Sequence, residues 1–250
     1  MFDKSGHWSE LQVAGRDCRV FAPRDPAPHG STVIYLHDEN DSQFEQLPAL
    51  SQQLQRHGLR CIAPQTGRSW WTDRLWPAFD SEISTETYLL QRLVPWLSEH
   101  WQARPPQLAL LGVGMGGQGG LKLSYKHPNL FPICAAIAPT IDYHRAMEAG
   151  DPTLAQLYRD AEQARQDTAT LHIHPLNWPR HQWFASDPAD YTRHDGADRL
   201  RMKLYSLGVP YDADLETTAG GSLSAYVDHM AEPAVSFIAE RLERERLRVP

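Results

Sequence analysis

The sequence has few cysteines, no long hydrophobic run and no excess of positive charge. Its three cysteines, Cys18, Cys61 and Cys134, are far apart and form no Cys-x-x-Cys motif, which disfavours a disulfide framework or zinc site and indicates reduced thiols. Apolar runs such as Leu108–Leu111 and Ile133–Ala138 fall well short of the roughly 18–20 residues that a membrane span needs. Asp and Glu outnumber Lys and Arg by 31 to 24, for a net charge of −7, so we expect no nucleic-acid or membrane partner.

Length and composition predict a single globular domain over residues 1–250. The start of the chain has no apolar segment of the kind that directs secretion, so we expect a cytoplasmic protein. With 41% hydrophobic residues, the chain can build one large core. Short apolar runs alternate with segments of helical period, which predicts an α/β fold with a mostly parallel, doubly wound sheet. Residues 140–180 break this alternation and predict a lid or pocket-wall insertion.

The elements predicted from this pattern are seven strands and five helices. The strands are expected at 19–22, 32–37, 60–63, 108–111, 133–138, 182–185 and 213–216. The helices are expected near 43–56, 85–100, 116–126, 196–206 and 233–248.

A glycine-rich turn follows the predicted strand at 108–111. Four of the five residues 116–120 are glycine, although each glycine inside a helix costs about 1 kcal/mol relative to alanine. Close packing of the helix against a strand would explain them, because no Cβ fits there. Gly112-x-Gly114-x-x-Gly117 also matches a dinucleotide-binding fingerprint. The next acidic residue, Asp142, lies too far along for that motif, but a nucleotide-binding protein stays a hypothesis.

The second interpretation of this turn is the nucleophile elbow, G-x-S-x-G, of which Gly112-Val113-Gly114-Met115-Gly116 keeps both outer glycines. The segment that begins with this turn includes two further motifs, Lys126-His127-Pro128 and Phe131-Pro132. It resembles the esterase D and S-formylglutathione hydrolase branch of the α/β-hydrolase superfamily, whose elbow reads G-x-S-M-G-G-x-G. The resemblance extends from Val20 to Leu242 and implies an α/β-hydrolase fold with helices on both faces of the sheet.

The resemblance also implies positions for a Ser–Asp–His triad. The nucleophile position is Gly114, the acid position is Asp190 with Asp187 as the alternative, and the histidine position is Ser222. The two residues that perform covalent and proton-transfer chemistry are thus substituted. The sequence therefore predicts an esterase-like protein that is catalytically impaired, a pseudo-esterase with a small-molecule binding or interaction role.

By the same resemblance, the oxyanion hole uses a backbone N–H of Met115 and one from the loop at Glu39. The carboxylates of Asp38 and Glu39 follow the strand where an oxyanion would need stabilising, which disfavours acyl transfer. The adjacent tryptophans at 70 and 71 predict an aromatic pocket wall with an arginine rim for anions. The pocket candidates are His37, Asp38, Arg68, Trp70 and Trp71.

Further expectations concern partners and replacement chemistry. We expect no cofactor and no metal, and a small acyl or ester-like molecule as the ligand. An assembly of identical chains is compatible with the sequence but cannot be derived from it. His229 lies seven residues after Ser222, and His194 lies four residues after Asp190. An active carboxylic-ester hydrolase or lyase that uses a non-standard residue therefore stays the alternative.

Overall fold

The protein is built around one eight-stranded sheet. The computed structural model describes residues 6–27, 30–40 and 47–248. The strand order is β1-β2-β4-β3-β5-β6-β7-β8. Strand β2 is antiparallel to both of its neighbours, whereas the strands from β4 to β8 are all parallel. The predicted mostly parallel sheet is confirmed. The strands are β1 (His7–Val13), β2 (Arg16–Ala22), β3 (Thr32–Leu36), β4 (Arg60–Pro64), β5 (Leu108–Val113), β6 (Ile133–Ile137), β7 (His181–Ala185) and β8 (Asp212–Asp214).

Helices cover both faces of the sheet. Helices α1 and α9 pack on one face, and α2 to α8 contribute to the hydrophobic cluster on the other. A π-helical stretch, Leu89–Leu93, joins α2 to α3 in one continuous run. The helices are α1 (Pro48–Arg56), α2 (Thr85–Tyr88), α3 (Val94–His100), α4 (Met115–Lys126), α5 (Tyr143–Glu148), α6 (Leu154–Leu157), α7 (Ala161–Gln166), α8 (Tyr191–Leu207) and α9 (Leu223–Arg248).

Strand β3 shows why the central strands are apolar at every position. Val33 and Tyr35 are buried in the cluster with α1 and α9, while Ile34 and Leu36 are buried in the cluster on the opposite face. Successive side chains of a strand point to opposite faces of the sheet. A strand that is covered on both faces therefore has no position for an exposed polar side chain.

The ends of several elements differ from the predicted ones. Strand β1 was not predicted, because most of its residues are exposed or only partly buried at the sheet edge. Helix α9 begins at Leu223 and continues through Pro233, which the pattern predicts as a helix start. Its first turns bury Tyr226 and Val227 in the core, and this packing outweighs the hydrogen bond that proline removes. The predicted helix start at 43–46 lies outside the described residues.

Residues 140–180 form short helices that pack beside α4. The backbone N–H of Ala169 donates to Oε1 of the buried Gln118, at 2.9 Å. Nζ of Lys122, also on α4, lies 3.1 Å from Oδ2 of Asp167. This segment therefore rests on the helix that follows the glycine-rich turn, and its role as a lid stays a prediction. In the described ranges, no helix is both long enough and apolar enough to cross a bilayer.

Candidate functional site

Gly114 forms the turn between β5 and α4. Its φ of +53° and ψ of −117° lie in a region that is costly for any residue with a Cβ. The N–H of Gly114 donates to the carbonyl of Ile137 at 3.1 Å, and its carbonyl accepts the N–H groups of Thr140 and Gln118 at 3.0 and 3.1 Å. Strand β5, a turn residue at positive φ and helix α4 thus follow one another directly, and the turn residue has no side chain.

Close packing explains the glycines that follow. A Cβ on Gly116 would lie 1.9 Å from the carbonyl oxygen of Leu36, at the end of β3. A Cβ on Gly119 would lie 2.5 Å from Cβ of Trp71. Both distances are far below van der Waals contact, so α4 could not approach its neighbours with larger residues there. This confirms the packing explanation for the glycine-rich helix start.

The carboxylate of Glu39 fills the space beside Gly114. A Cβ built on Gly114 would lie 2.5 Å from Oε2 of Glu39. The backbone N–H of Met115 donates to the same oxygen at 3.0 Å. The N–H of Met115, which the sequence predicts as an oxyanion-hole donor, is thus bound to the side-chain carboxylate of Glu39. The first turn of α4 favours such an anion, because its backbone N–H groups and helix dipole are positive there.

Arg193, on α8, forms an ion pair with the other oxygen of the Glu39 carboxylate. Its Nη2 lies 2.5 Å from Oε1 of Glu39, and its Nη1 lies 2.5 Å from Oδ2 of Asp190. Burial disfavours the charged guanidinium, but the two carboxylates outweigh burial and raise the pKa of Arg193. Arg193 is not among the site residues predicted from the sequence. The only signal was its i,i+3 spacing from Asp190, which is common on helix surfaces.

The two candidate acid residues have different surroundings. Asp190 caps α8 by accepting the backbone N–H of Arg193 at 3.3 Å, and it pairs with the same residue's guanidinium. Asp187 instead accepts backbone N–H groups from Ala219 and Gly221, at 2.8 and 2.9 Å. These belong to the loop that leads to Ser222. Asp187 is therefore the carboxylate that contacts the loop of the predicted histidine position.

Hydrogen bonds keep the Asp187 carboxylate charged. Burial raises its pKa, but this is outweighed by donation from the Thr218 hydroxyl and from backbone N–H groups, including that of Ala189. The net result lowers the pKa of Asp187 from 3.8 to about 2. At neutral pH this residue therefore acts as an acceptor that fixes the loop.

The nucleophile and histidine positions lie at the same edge of the sheet. Gly114 follows the carboxyl end of β5, and Ser222 comes after the carboxyl end of β8, which runs in the same direction. Their chain neighbours, Val113 and Leu223, line a common cavity of about 210 Å³ together with Asp38. Ser222 itself is exposed just before the first turn of α9.

Of the pocket candidates, His37 and Asp38 are buried. Nδ1 of His37 donates to the carbonyl of Asp38 at 2.9 Å, and Nε2 accepts the backbone N–H of Thr66 at 3.2 Å. Both ring nitrogens of His37 therefore support the loop after β3. The carboxylate of Asp38 accepts a hydrogen bond from Asn40 at 3.3 Å and faces the shared cavity.

The two tryptophans of the predicted pocket wall are buried in the core. Trp70 is 1% exposed and Trp71 is 0% exposed. Both have positive φ, of 54° and 50°, and this turn points the indole of Trp71 at the carbonyl of His37, to which its Nε1–H donates at 3.1 Å. Arg68 is paired with Asp151 at 2.5 Å. Trp71 therefore supports the loop after β3 from the core. Arg68 is joined to the 140–180 segment through Asp151.

His194 and His229, the candidate replacements for the triad histidine, have different surroundings. Nδ1 of His194 donates to the carbonyl of Ser186 at 3.3 Å, and His229 is exposed on α9. Over residues 6–27, 30–40 and 47–248, no cluster of three or more His, Cys, Asp or Glu side chains could hold a metal ion.

Comparison with known proteins identifies the scaffold. The model of the Putative esterase family matches residues 14–202. Among solved structures, the chain is similar to FphF, a fluorophosphonate-binding serine hydrolase of Staphylococcus aureus, with 14% identity, a TM-score of 0.76, and coverage of 94% of this chain and 99% of that one. It is also similar to an S-formylglutathione hydrolase from Agrobacterium tumefaciens, with 16% identity, a TM-score of 0.72, and coverage of 97% and 98%. The chain has the α/β-hydrolase fold and belongs to the Putative esterase family.

Proposed function

We propose that this protein is a member of the esterase family that no longer hydrolyses esters and instead binds a small molecule at the altered site. The observation that carries the proposal is the position of Glu39, whose carboxylate takes the space of a nucleophile side chain and accepts the N–H of Met115. Gly114 has no atom that could attack a carbonyl group.

Electrostatics oppose ester hydrolysis at this site even apart from the missing serine. An oxyanion hole lowers the barrier of acyl transfer because its N–H donors stabilise negative charge that develops on the carbonyl oxygen. Here the N–H of Met115 already binds a negative oxygen. A substrate oxyanion would have to form beside the Glu39 carboxylate, and the repulsion between these charges would raise the barrier.

The same arrangement disfavours the nucleotide-binding hypothesis. A phosphate at the glycine-rich turn would need the N–H groups at the start of α4, one of which is bound to Glu39. Asp38 and Glu39 add negative charge at the point where the phosphate would enter. We therefore expect no binding of NAD or nucleotides in calorimetric titrations.

An ester hydrolysis assay tests the proposed function. We expect the purified protein to hydrolyse p-nitrophenyl acetate and butyrate no faster than Asp190→Ala, because neither protein has a nucleophile at position 114. A fluorophosphonate probe is expected to leave the protein unlabelled, with FphF as the labelled control.

Turnover clearly above that of Asp190→Ala, or covalent labelling by the probe, would contradict the proposal. Either result would favour the alternative, a hydrolase that uses a non-standard residue. The labelled residue could then be identified by mass spectrometry of proteolytic fragments.

A further inference from the structure

Glu39 is bound by the protein as an external carboxylate would be. One carboxylate oxygen accepts the N–H of Met115 at 3.0 Å, and the other lies 2.5 Å from Nη2 of Arg193. The two donors come from α4 and α8, two different elements of the fold. We propose that Met115 and Arg193 form a carboxylate-binding site that the protein fills with its own Glu39, and that a small monocarboxylate is the ligand class that can replace it. This inference rests on the proposed function, since it names the ligand of the same site.

A second carboxylate also holds the guanidinium of Arg193. Nη1 of Arg193 is held by Asp190 through an ion pair at 2.5 Å. Nε of Arg193 is buried and has no hydrogen-bond partner in the part of the chain that the structure describes. The ion pair with Asp190 anchors the arginine independently of Glu39, and Nη2 is the donor that a ligand would use in place of Glu39.

The charges around Arg193 favour a ligand that carries a single negative charge. Arg193 lies between two carboxylates, Glu39 and Asp190, and Asp38 is close to the same turn. A monocarboxylate in place of the Glu39 side chain replaces one negative charge with another. A phosphate dianion would add a charge beside Asp38 and Asp190 and is disfavoured by Coulomb repulsion.

Solvent reaches this site. The side chains of Glu39, Arg193 and Asp190 are 15%, 21% and 14% exposed, so the carboxylate site opens at the surface. Removal of the Glu39 side chain beyond Cβ would leave a space that matches a short carboxylic acid such as acetate.

Acetate binding to Glu39→Ala tests the inference. We expect acetate to raise the Tm of Glu39→Ala and to shift the amide signal of Met115 in NMR spectra, with an affinity at least about tenfold above that of the wild type, in which Glu39 competes. Acetamide, the neutral isostere, is expected to produce neither effect. Sodium chloride at equal ionic strength serves as the salt control.

Two further variants make the result specific. In the Glu39→Ala background, Arg193→Lys keeps the positive charge but not the planar pair of donors, and we expect it to weaken acetate binding. Glu39→Gln keeps the side-chain volume and loses the charge, so its affinity for acetate should lie between those of the wild type and Glu39→Ala. Glu39→Gln also provides the test if Glu39→Ala is recovered unfolded.

The inference is overturned if acetate binds Glu39→Ala or Glu39→Gln no more tightly than the wild type, or if acetamide binds equally well. Ester turnover measured on the same wild-type preparation separates the two proposals. Turnover would overturn the proposed function whatever the acetate result, whereas missing acetate binding in a protein without turnover overturns only the carboxylate site.

Discussion

Ester hydrolysis is expected to return only when three positions are changed together. Gly114→Ser/Ser222→His should stay at the wild-type background, because a serine Cβ at position 114 would lie 2.5 Å from Oε2 of Glu39. Adding Glu39→Gly frees both that space and the N–H of Met115. We expect p-nitrophenyl butyrate hydrolysis to rise by about 10²-fold or more over the double variant, since one oxyanion-hole donor is worth roughly that much.

The matched control for this repair is Gly114→Ser/Glu39→Gly, which lacks the imidazole. It should stay inactive, because an unactivated hydroxyl is a poor nucleophile. If Gly114→Ser/Ser222→His is as active as the triple variant, Glu39 does not block the site. If the triple variant shows no hydrolysis above the wild type, the assignment of positions 114 and 222 is contradicted.

The repaired protein also distinguishes the two acid candidates. Asp187 contacts the loop that leads to Ser222, while Asp190 is engaged by Arg193. We therefore expect Asp187→Asn to lower the restored activity more than Asp190→Asn. The opposite order would favour the triad position that the family resemblance implies.

Lys122→Met is expected to lower the free energy of unfolding by about 3–5 kcal/mol, the range seen when one partner of a buried ion pair is removed. The Lys122 side chain is fully buried, with Nζ 3.1 Å from Asp167 and 3.9 Å from Glu86. Without Lys122, Glu86 keeps its ion pair with Lys126, whereas Asp167 loses its lysine partner. Urea unfolding at neutral pH measures the effect.

Lys203→Met is the control, since Lys203 is exposed on α8. We expect it to change stability by no more than about 0.5 kcal/mol. Lys122→Met/Asp167→Asn should recover part of the loss, because the second change removes the negative charge that lost its lysine partner. Equal effects of Lys122→Met and Lys203→Met would contradict the role of this buried cluster.

The pH dependence of the Lys122→Met effect has a defined sign. Burial raises the pKa of Asp167, but the side chains of His172, Lys122 and Tyr158 outweigh burial and hold the pKa well below its ordinary value of 3.8. A carboxyl with a lowered folded pKa stabilises the protein above its unfolded pKa and loses this effect as the pH falls. The difference in stability between the wild type and Lys122→Met should therefore shrink as the pH is lowered below about 4.

The glycine-rich turn between β5 and α4 was predictable from the sequence because its cause is local. Glycine is required at 114 because the turn has positive φ. Glycine is required at 112, 116 and 119 because a Cβ there would clash with closely packed neighbours. The buried strands β3, β5 and β6 were likewise predictable, because coverage on both faces requires apolar residues at each position.

The occupant of the site was not predictable in the same way. Glu39 and Arg193 are 154 residues apart, and neither stands in a motif that indicates the other. Whether a loop carboxylate faces solvent or the turn depends on side-chain conformation and on the partner that the fold brings to it. Trp70 and Trp71 lie in the predicted region but are buried in the core. Both have positive φ, and the absence of a Cβ on Gly119 leaves room for Trp71.

A crystal structure of the wild-type protein at neutral pH tests the central claim, that an internal carboxylate holds the oxyanion position, most directly. The quantity to measure is the distance from the Met115 backbone nitrogen to the nearer carboxylate oxygen of Glu39. We expect about 3 Å, within the range of an N–H···O hydrogen bond, with Arg193 on the other oxygen. Electron density that shows the Glu39 side chain turned to solvent, with a water molecule or an anion bound to the N–H of Met115, would contradict the account.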